Sequence, residues 1–165
     1  MMVVRAYRDE DYEALMELVV AYFRDDLKLD WSEGQMRRVA LLMTTYSEAG
    51  RHWIDVLEDP EQPGVLGGFL EYQVDHPGLN WCYRPGDGFI RESYVRPELR
   101  QQGYGRLLVA QAERRLLQDQ VSAIYLTCDD ACHIWERLGY RDAGVICSLN
   151  GGQIYEKHAI EEPVR

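Results

Sequence analysis

The sequence predicts an α/β (α+β) fold: a mixed, mostly antiparallel central sheet flanked by helices, with one βαβ crossover. Three observations predict it. Hydrophobic spacing alternates between strand-like and helical periods in the order β α α β β β α β α β β. Residues 89–127 pass from strand pattern to helix pattern to a short apolar strand with no hairpin signal, which calls for a crossover. Asn150-Gly151-Gly152, between two strand patterns near the end of the chain, is a strong hairpin signal.

Residues 3–7 read as a first strand. Asp9, Glu10 and Asp11 then place negative charge where a helix dipole favours it. Leu15, Leu18, Val19 and Tyr22 follow at helical spacing. A second helix is expected over 33–49 through Met36, Val39, Ala40 and Met43, with Gly50 ending it. Residues 52–58 alternate as a strand, and Asp59-Pro60-Glu61-Gln62-Pro63-Gly64 turns the chain into another strand over 65–74. Residues 76–88 hold two Pro and read as a loop before a strand at 89–95. Tyr104, Leu108, Ala112 and Leu116 repeat every four residues, so a helix is expected over 104–118. A buried strand at 123–127 follows, then a helix capped by Asp129 that stops at Gly139. Strands at 145–149 and 153–158 close the chain.

At 165 residues, one domain over 1–165 is expected. The 46% hydrophobic content suffices for a core without disulfide or metal support, which excludes a disordered chain and a stapled miniprotein. The longest apolar run, 15–23, is interrupted by Glu17 and falls short of the roughly 20 residues of a membrane span. The first residues carry no apolar leader segment, so the cytoplasm is the expected location. No CxxC pair occurs among Cys82, Cys128, Cys132 and Cys147, and His133 is the only nearby extra ligand. No metal site is expected, and the four cysteines are expected as free thiols in a reducing compartment.

The formal charge of −10 disfavours nucleic acid as a partner. Its distribution is uneven: six Arg and three Glu between positions 91 and 115 give +3, leaving −13 elsewhere. That stretch is either an anion site or a solvated helix face. Within it lies Tyr94-Val95-Arg96-Pro97-Glu98-Leu99-Arg100-Gln101-Gln102-Gly103-Tyr104-Gly105-Arg106. A strand ends, a turn follows, and a helix opens on glycines that let backbone N–H groups approach a ligand. Such a turn can cradle a pyrophosphate. It is not a Walker loop, because no Lys-Ser/Thr follows, nor a dinucleotide fingerprint, because the third glycine is missing.

The string resembles the acetyl-CoA loop of the GNAT superfamily of N-acetyltransferases. Their pattern is a strand ending V-x-P, then R-x-x-G-x-G/A at a helix start, and Val95, Pro97, Arg100, Gly103 and Gly105 match it in order and spacing. A second family segment has its counterpart in Ile134-Trp135-Glu136-Arg137-Leu138-Gly139-Tyr140. The resemblance implies a GNAT-like fold with the crossover at the acetyl-CoA site, and acetyl transfer from acetyl-CoA to a primary amine. It implies that Ser93, Tyr94 and Val95 offer backbone groups to the pantetheine arm. Arg100, Gln101, Gln102, Gly103, Tyr104, Gly105 and Arg106 would bind the pyrophosphate, and the gap between the strands ending at Val95 and Thr127 would hold the thioester. The resemblance leaves a homodimer open, and no sequence feature here demonstrates one.

The attacking amine is mostly ammonium at neutral pH, so a base is needed. Glu92 is the candidate, acting directly or through water. Polyamine and aminoglycoside acetyltransferases carry a Glu at this place. Strand alternation puts Glu92 and Tyr94 on one face and Ser93 on the other. The other readings of Glu92 are an acidic anchor for the substrate ammonium, or an ion pair with Arg91 or Arg96.

One departure stands out. The family's frequent general acid is a Tyr, and Trp135 occupies its place. An indole N–H supplies no proton to a thiolate. Either CoA leaves unassisted, or Tyr140, Tyr94, Cys132 or His133 serves instead, or the chain is a non-catalytic acyl-CoA-binding module. Trp135 itself would pack on the pantetheine or fill the core. The regions that build the acceptor site in the family carry Asp25, Asp26, Asp30, Glu33, Asp75, Asp87, Glu156, Glu161 and Glu162 here. With Trp31, Trp53, Trp81 and Tyr83 they suit a cationic small molecule or peptide, or they are ordinary surface charge. No membrane partner is expected.

Overall fold

A computed structural model of the chain describes residues 1–47, 52–130 and 132–159. Among the described residues lie seven strands, β1 (Val3–Ala6), β2 (His52–Glu58), β3 (Leu66–Val74), β4 (Gly88–Val95), β5 (Ala123–Cys128), β6 (Arg141–Ile146) and β7 (Gln153–His158). The helices are α1 (Tyr12–Ala21), α2 (Glu33–Ser47), α3 (Tyr104–Gln118) and the short α4 (His133–Arg137). The strand order is β1-β2-β3-β4-β5-β7-β6. Pairing is antiparallel for β1–β2, β5–β7 and β6–β7, and parallel for β4–β5, where Gly88 faces Ile124 and Phe89 faces Tyr125. The parallel pair is the one that α3 connects, as a crossover requires.

The chain groups into two compact units, Met1–Tyr72 with Glu92–Ala112, and Gln73–Arg91 with Glu113–Arg165. In the first, the apolar stripe of α1 (Leu15, Met16, Leu18, Val19) and that of α2 (Met36, Ala40, Met43) bury against Ile54, Val56, Phe69 and Tyr94 of the strands. Strand β3 is buried along its whole length, so it lacks the clean alternation of a one-faced strand. Gly68 on β3 lets β4 approach closely: a Cβ there would lie 2.5 Å from the Tyr94 carbonyl oxygen and 3.1 Å from Val95 Cα. An interior ion cluster also ties this unit together. Arg5 donates to Asp11 and Glu58 at 2.6–2.8 Å, and Asp11 caps the turn at Arg8 N–H.

In the second unit, Trp81, Phe89 and Tyr125 stack in succession, with centroids 4.9 and 4.7 Å apart. Asp75 organises the loop before β4. Its carboxylate accepts from the Tyr83 and Arg84 amides, the Tyr125 hydroxyl and the Gln73 amide group at 2.5–2.9 Å.

Several sequence expectations shift. The first helix continues past Ala21 into a π-helical turn, Tyr22–Asp26, closed by Leu27 N–H on the Tyr22 carbonyl. The penultimate strand is β6 at Arg141–Ile146 rather than 145–149, because Gly144 at φ +67° forms a bulge and Cys147 belongs to the turn. The helix expected from Asp129 begins only at His133. Cys128 and Cys132 are joined in a disulfide, contrary to the expectation of four free thiols. Cys82 and Cys147 are free. Gly50, Glu161 and Glu162 lie outside the described residues.

Candidate active site

The first unit brings together most of the residues singled out by the motif. Strand β4 ends at Val95, and the chain turns through Pro97–Leu99 and enters α3 at Tyr104. Gln101 at φ +62° and Gly103 at φ +86° make the turn. The first intrahelical bond runs from Leu107 N–H to the Gly103 carbonyl. The amides of Tyr104, Gly105 and Arg106 therefore stand ahead of it, without helical carbonyls to receive them. Around Gly103 and Gly105 no heavy atom comes within 4 Å of where a Cβ would be. The loop is thus an open set of N–H donors with the positive end of a 15-residue helix behind it. Gln101, Gln102 and Arg106 are exposed, while Gln102 also donates to the Glu98 carbonyl at 3.0 Å.

Arg100 is placed differently from the other motif residues. Its Nε donates to the Val95 carbonyl at 2.8 Å, and one terminal nitrogen reaches both oxygens of Asp26 at 3.0 and 2.7 Å. Its guanidinium lies 5.5 Å from the centre of the Tyr94 ring. Tyr94 is buried against Tyr22 and Phe69, so its ring is core. Burial, with Asp26 adding to it, holds its hydroxyl pKa above the ordinary tyrosine value. Ser93 is half-buried.

Glu92 is half-buried on β4, on the same face as Tyr94, as strand alternation requires. The Tyr22 hydroxyl donates to its Oε2 at 2.5 Å. Burial and the negative charge of Glu92 push the Tyr22 pKa far up, so Tyr22 remains a donor. Sequence reasoning read Tyr22 only as part of an apolar stripe. No local signal joins it to a residue 70 positions away.

The second unit holds the remaining candidates. Trp135 on α4 is half-buried, edge-to-face with Tyr140 at 5.6 Å. Tyr140 is buried and donates to Glu113 at 3.0 Å; burial first, then Glu113, push its pKa well up. Lys157 shares Glu113 at 3.0 Å. Cys132 is locked in the disulfide and carries no thiol proton, which removes it as an acid candidate. His133 is exposed. The acidic residues proposed to line an acceptor site are mostly engaged. Asp75 is interior, Glu156 pairs with Arg84, Asp25 with Arg24 and Glu33 with Arg37. Trp81 and Tyr83 pack on Phe89 and Tyr125. Among the described residues no group of three or more His, Cys, Asp or Glu could hold a metal ion, and no helix is long and apolar enough to cross a membrane.

The strand, turn and helix that carry this loop lie within residues 12–140, which match the family model "Acetyltransferase (GNAT) family". The chain belongs to that family and is an acetyltransferase. Solved structures agree on the fold. PaiA N-acetyltransferase from Thermoplasma acidophilum, in complex with coenzyme A, is 15% identical with a TM-score of 0.73, covering 96% of this chain and 99% of that one. A GNAT-family acetyltransferase from Brucella melitensis, in complex with acetyl-CoA, is 16% identical with a TM-score of 0.66, over 96% and 88%. The "histone acetyltransferase HPA2 and related acetyltransferase" of Corynebacterium glutamicum is 20% identical with a TM-score of 0.74, over 99% of each chain. No curated protein matches the sequence.

Proposed function

We propose that residues 1–165 act as one N-acetyltransferase domain that moves the acetyl group of acetyl-CoA to a primary amine of a cationic small molecule or peptide. The Thermoplasma structure holds coenzyme A and the Brucella structure holds acetyl-CoA, which supports acetyl-CoA as the donor here. In this reading the amides at 101–106 receive the pyrophosphate, with Arg106 beside them. The backbone at 93–95 takes the pantetheine arm and polarises the thioester carbonyl as the tetrahedral oxyanion forms. Glu92 removes the proton from the attacking ammonium, the amine attacks the carbonyl carbon, and the C–S bond breaks to give the amide and CoA thiolate. With Trp135 at the usual acid position, the thiolate takes its proton from water.

The observation that carries this reading is the position of Glu92. A half-buried carboxylate, accepting a hydrogen bond from the Tyr22 hydroxyl, lies three residues before the Val95 that begins the phosphate turn. The excess of negative charge outside 91–115 supports a cationic acceptor. The test is release of free CoA thiol from acetyl-CoA with a panel of polyamines, aminoglycosides, peptides, and neutral and anionic amines. Turnover confined to neutral or anionic amines overturns the cationic acceptor. Full-speed turnover by Glu92→Gln overturns the base.

A further inference from the structure

Beyond the glutamate itself, one arrangement in the first unit has no part in the chemistry described so far. Helix α1 does not end in a regular turn. It widens into the π-helical turn Tyr22–Asp26, whose backbone closes by Leu27 N–H on the Tyr22 carbonyl and Leu29 N–H on the Phe23 carbonyl, both 3.0 Å. A π-helical turn is rarer and less favourable than continued α-helix, and such turns concentrate at functional sites. Here its first and last residues both reach the candidate site. Tyr22 donates to Glu92, and Asp26 holds Arg100, which in turn holds the Val95 carbonyl.

We propose that Tyr22 is a positioning residue for Glu92: its hydroxyl fixes one carboxylate oxygen and stabilises the ionised form, while the Asp26–Arg100 pair anchors the turn that presents it. This inference rests on Glu92 as the base. A hydrogen bond from a neutral donor favours the charged carboxylate over the protonated one. The Tyr22 ring is wedged among Phe23, Phe69 and Tyr94, with centroids 5.4–6.0 Å away, so the hydroxyl has little freedom to leave. The charged groups facing that hydroxyl are Glu92 from β4, Glu71 from β3 and Asp26 from its own turn. Glu71 is itself 2.7 Å from the buried His52 of β2.

The experiment is a carboxyl-carbon NMR titration of Glu92, assigned by the signal lost in Glu92→Gln, in the wild type and in Tyr22→Phe. Tyr22→Phe keeps the packed ring and removes only the donor. The Glu92 midpoint is expected to rise by about one unit. With a competent amine, the acid limb of kcat moves up by the same amount while the KM for acetyl-CoA stays unchanged. Incorporating 3-fluorotyrosine at position 22 preserves shape and strengthens the donor, and moves the midpoint down. An unmoved midpoint in folded Tyr22→Phe, or the same midpoint with 3-fluorotyrosine, overturns the inference. The titration needs no acceptor. A Glu92→Gln enzyme at full speed would sink the base assignment, while the titration still reports whether Tyr22 holds Glu92.

Discussion

The guanidinium of Arg100 and the carboxylate of Asp26 form an ion pair in which one nitrogen serves both oxygens, at 3.0 and 2.7 Å. The arginine that the family pattern places in the phosphate turn is therefore engaged within the protein. Under the proposed function, pyrophosphate binding then falls to the backbone amides that follow, and Arg100 has a scaffolding task. Arg100→Gln is expected to weaken acetyl-CoA only severalfold. Its stability cost is expected to stay below about 1 kcal/mol, since both side chains are partly exposed. Calorimetry and thermal melting check the two halves. Loss of affinity comparable to that of a phosphate-site variant would show that Arg100 is a direct ligand.

Gly105→Asp is that phosphate-site variant. The position is open, has no positive φ, and lies in the first turn of α3. An aspartate there suits the helix dipole by about 0.3–1 kcal/mol, so the melting temperature is expected to hold or rise. The added negative charge should nonetheless weaken acetyl-CoA by about tenfold or more, because each nearby phosphate charge repels it. Calorimetry at low ionic strength reads the loss, and salt should relieve it.

Glu92→Gln keeps the shape of the proposed base and removes its proton affinity. The expected fall in kcat is about 10²- to 10⁴-fold with acetyl-CoA affinity near wild type. Tyr22, Tyr94 and Tyr140 are all held above the ordinary tyrosine pKa by burial. None should deprotonate in the usual working range. The wild-type pH–rate profile should therefore rise with one limb and stay flat to alkaline pH. A falling limb near the ordinary tyrosine value would point to another acid.

Acid stability has its own marker at Arg5. Hydrogen bonds from Arg5, first among the causes, lower Glu58 from 4.5 to about 2 and lower Asp11 as well. Depressed carboxylates stabilise the fold above their unfolded values, and the gain is lost as pH falls through the folded ones. For Glu58 that window runs from 4.5 down to about 2. Arg5→Met should lower stability at neutral pH by about 2–3 kcal/mol, because the buried Asp11 loses its partner. It should also flatten the decline across the acid window. Urea melts at several pH values measure both effects.

Much of this architecture was legible in the sequence, because the informative signals are local. The four-residue repeat of Tyr104, Leu108, Ala112 and Leu116 placed α3 at its observed bounds, and the alternation in 52–58 gave β2. Glycines at 103 and 105 marked the open turn. The rest depends on contacts that no short window contains. Tyr22 meets Glu92 and Asp26 meets Arg100 across 70 and 74 residues. The π-helical turn that serves both bonds has no composition signature. Asp75 looked like surface charge until four donors closed on it. The Cys128–Cys132 bridge was discounted by spacing rules for metals, which say nothing about a strand end beside a helix start.

The bulge in β6 bears on how the protein behaves at high concentration. This strand is one margin of the sheet, and Val145 and Ile146 are 41% and 60% exposed on it. A straight, apolar margin of that kind is a template for pairing with another chain. Here Gly144, held by its amide on Asp142 at 2.8 Å, interrupts the ladder, and Gln153 secures the other Asp142 oxygen at 2.5 Å. The interruption twists the backbone and breaks the even row of donors and acceptors that an added strand would need. Polymerisation through this margin is thereby discouraged by backbone geometry, leaving its two apolar side chains without a ladder to recruit.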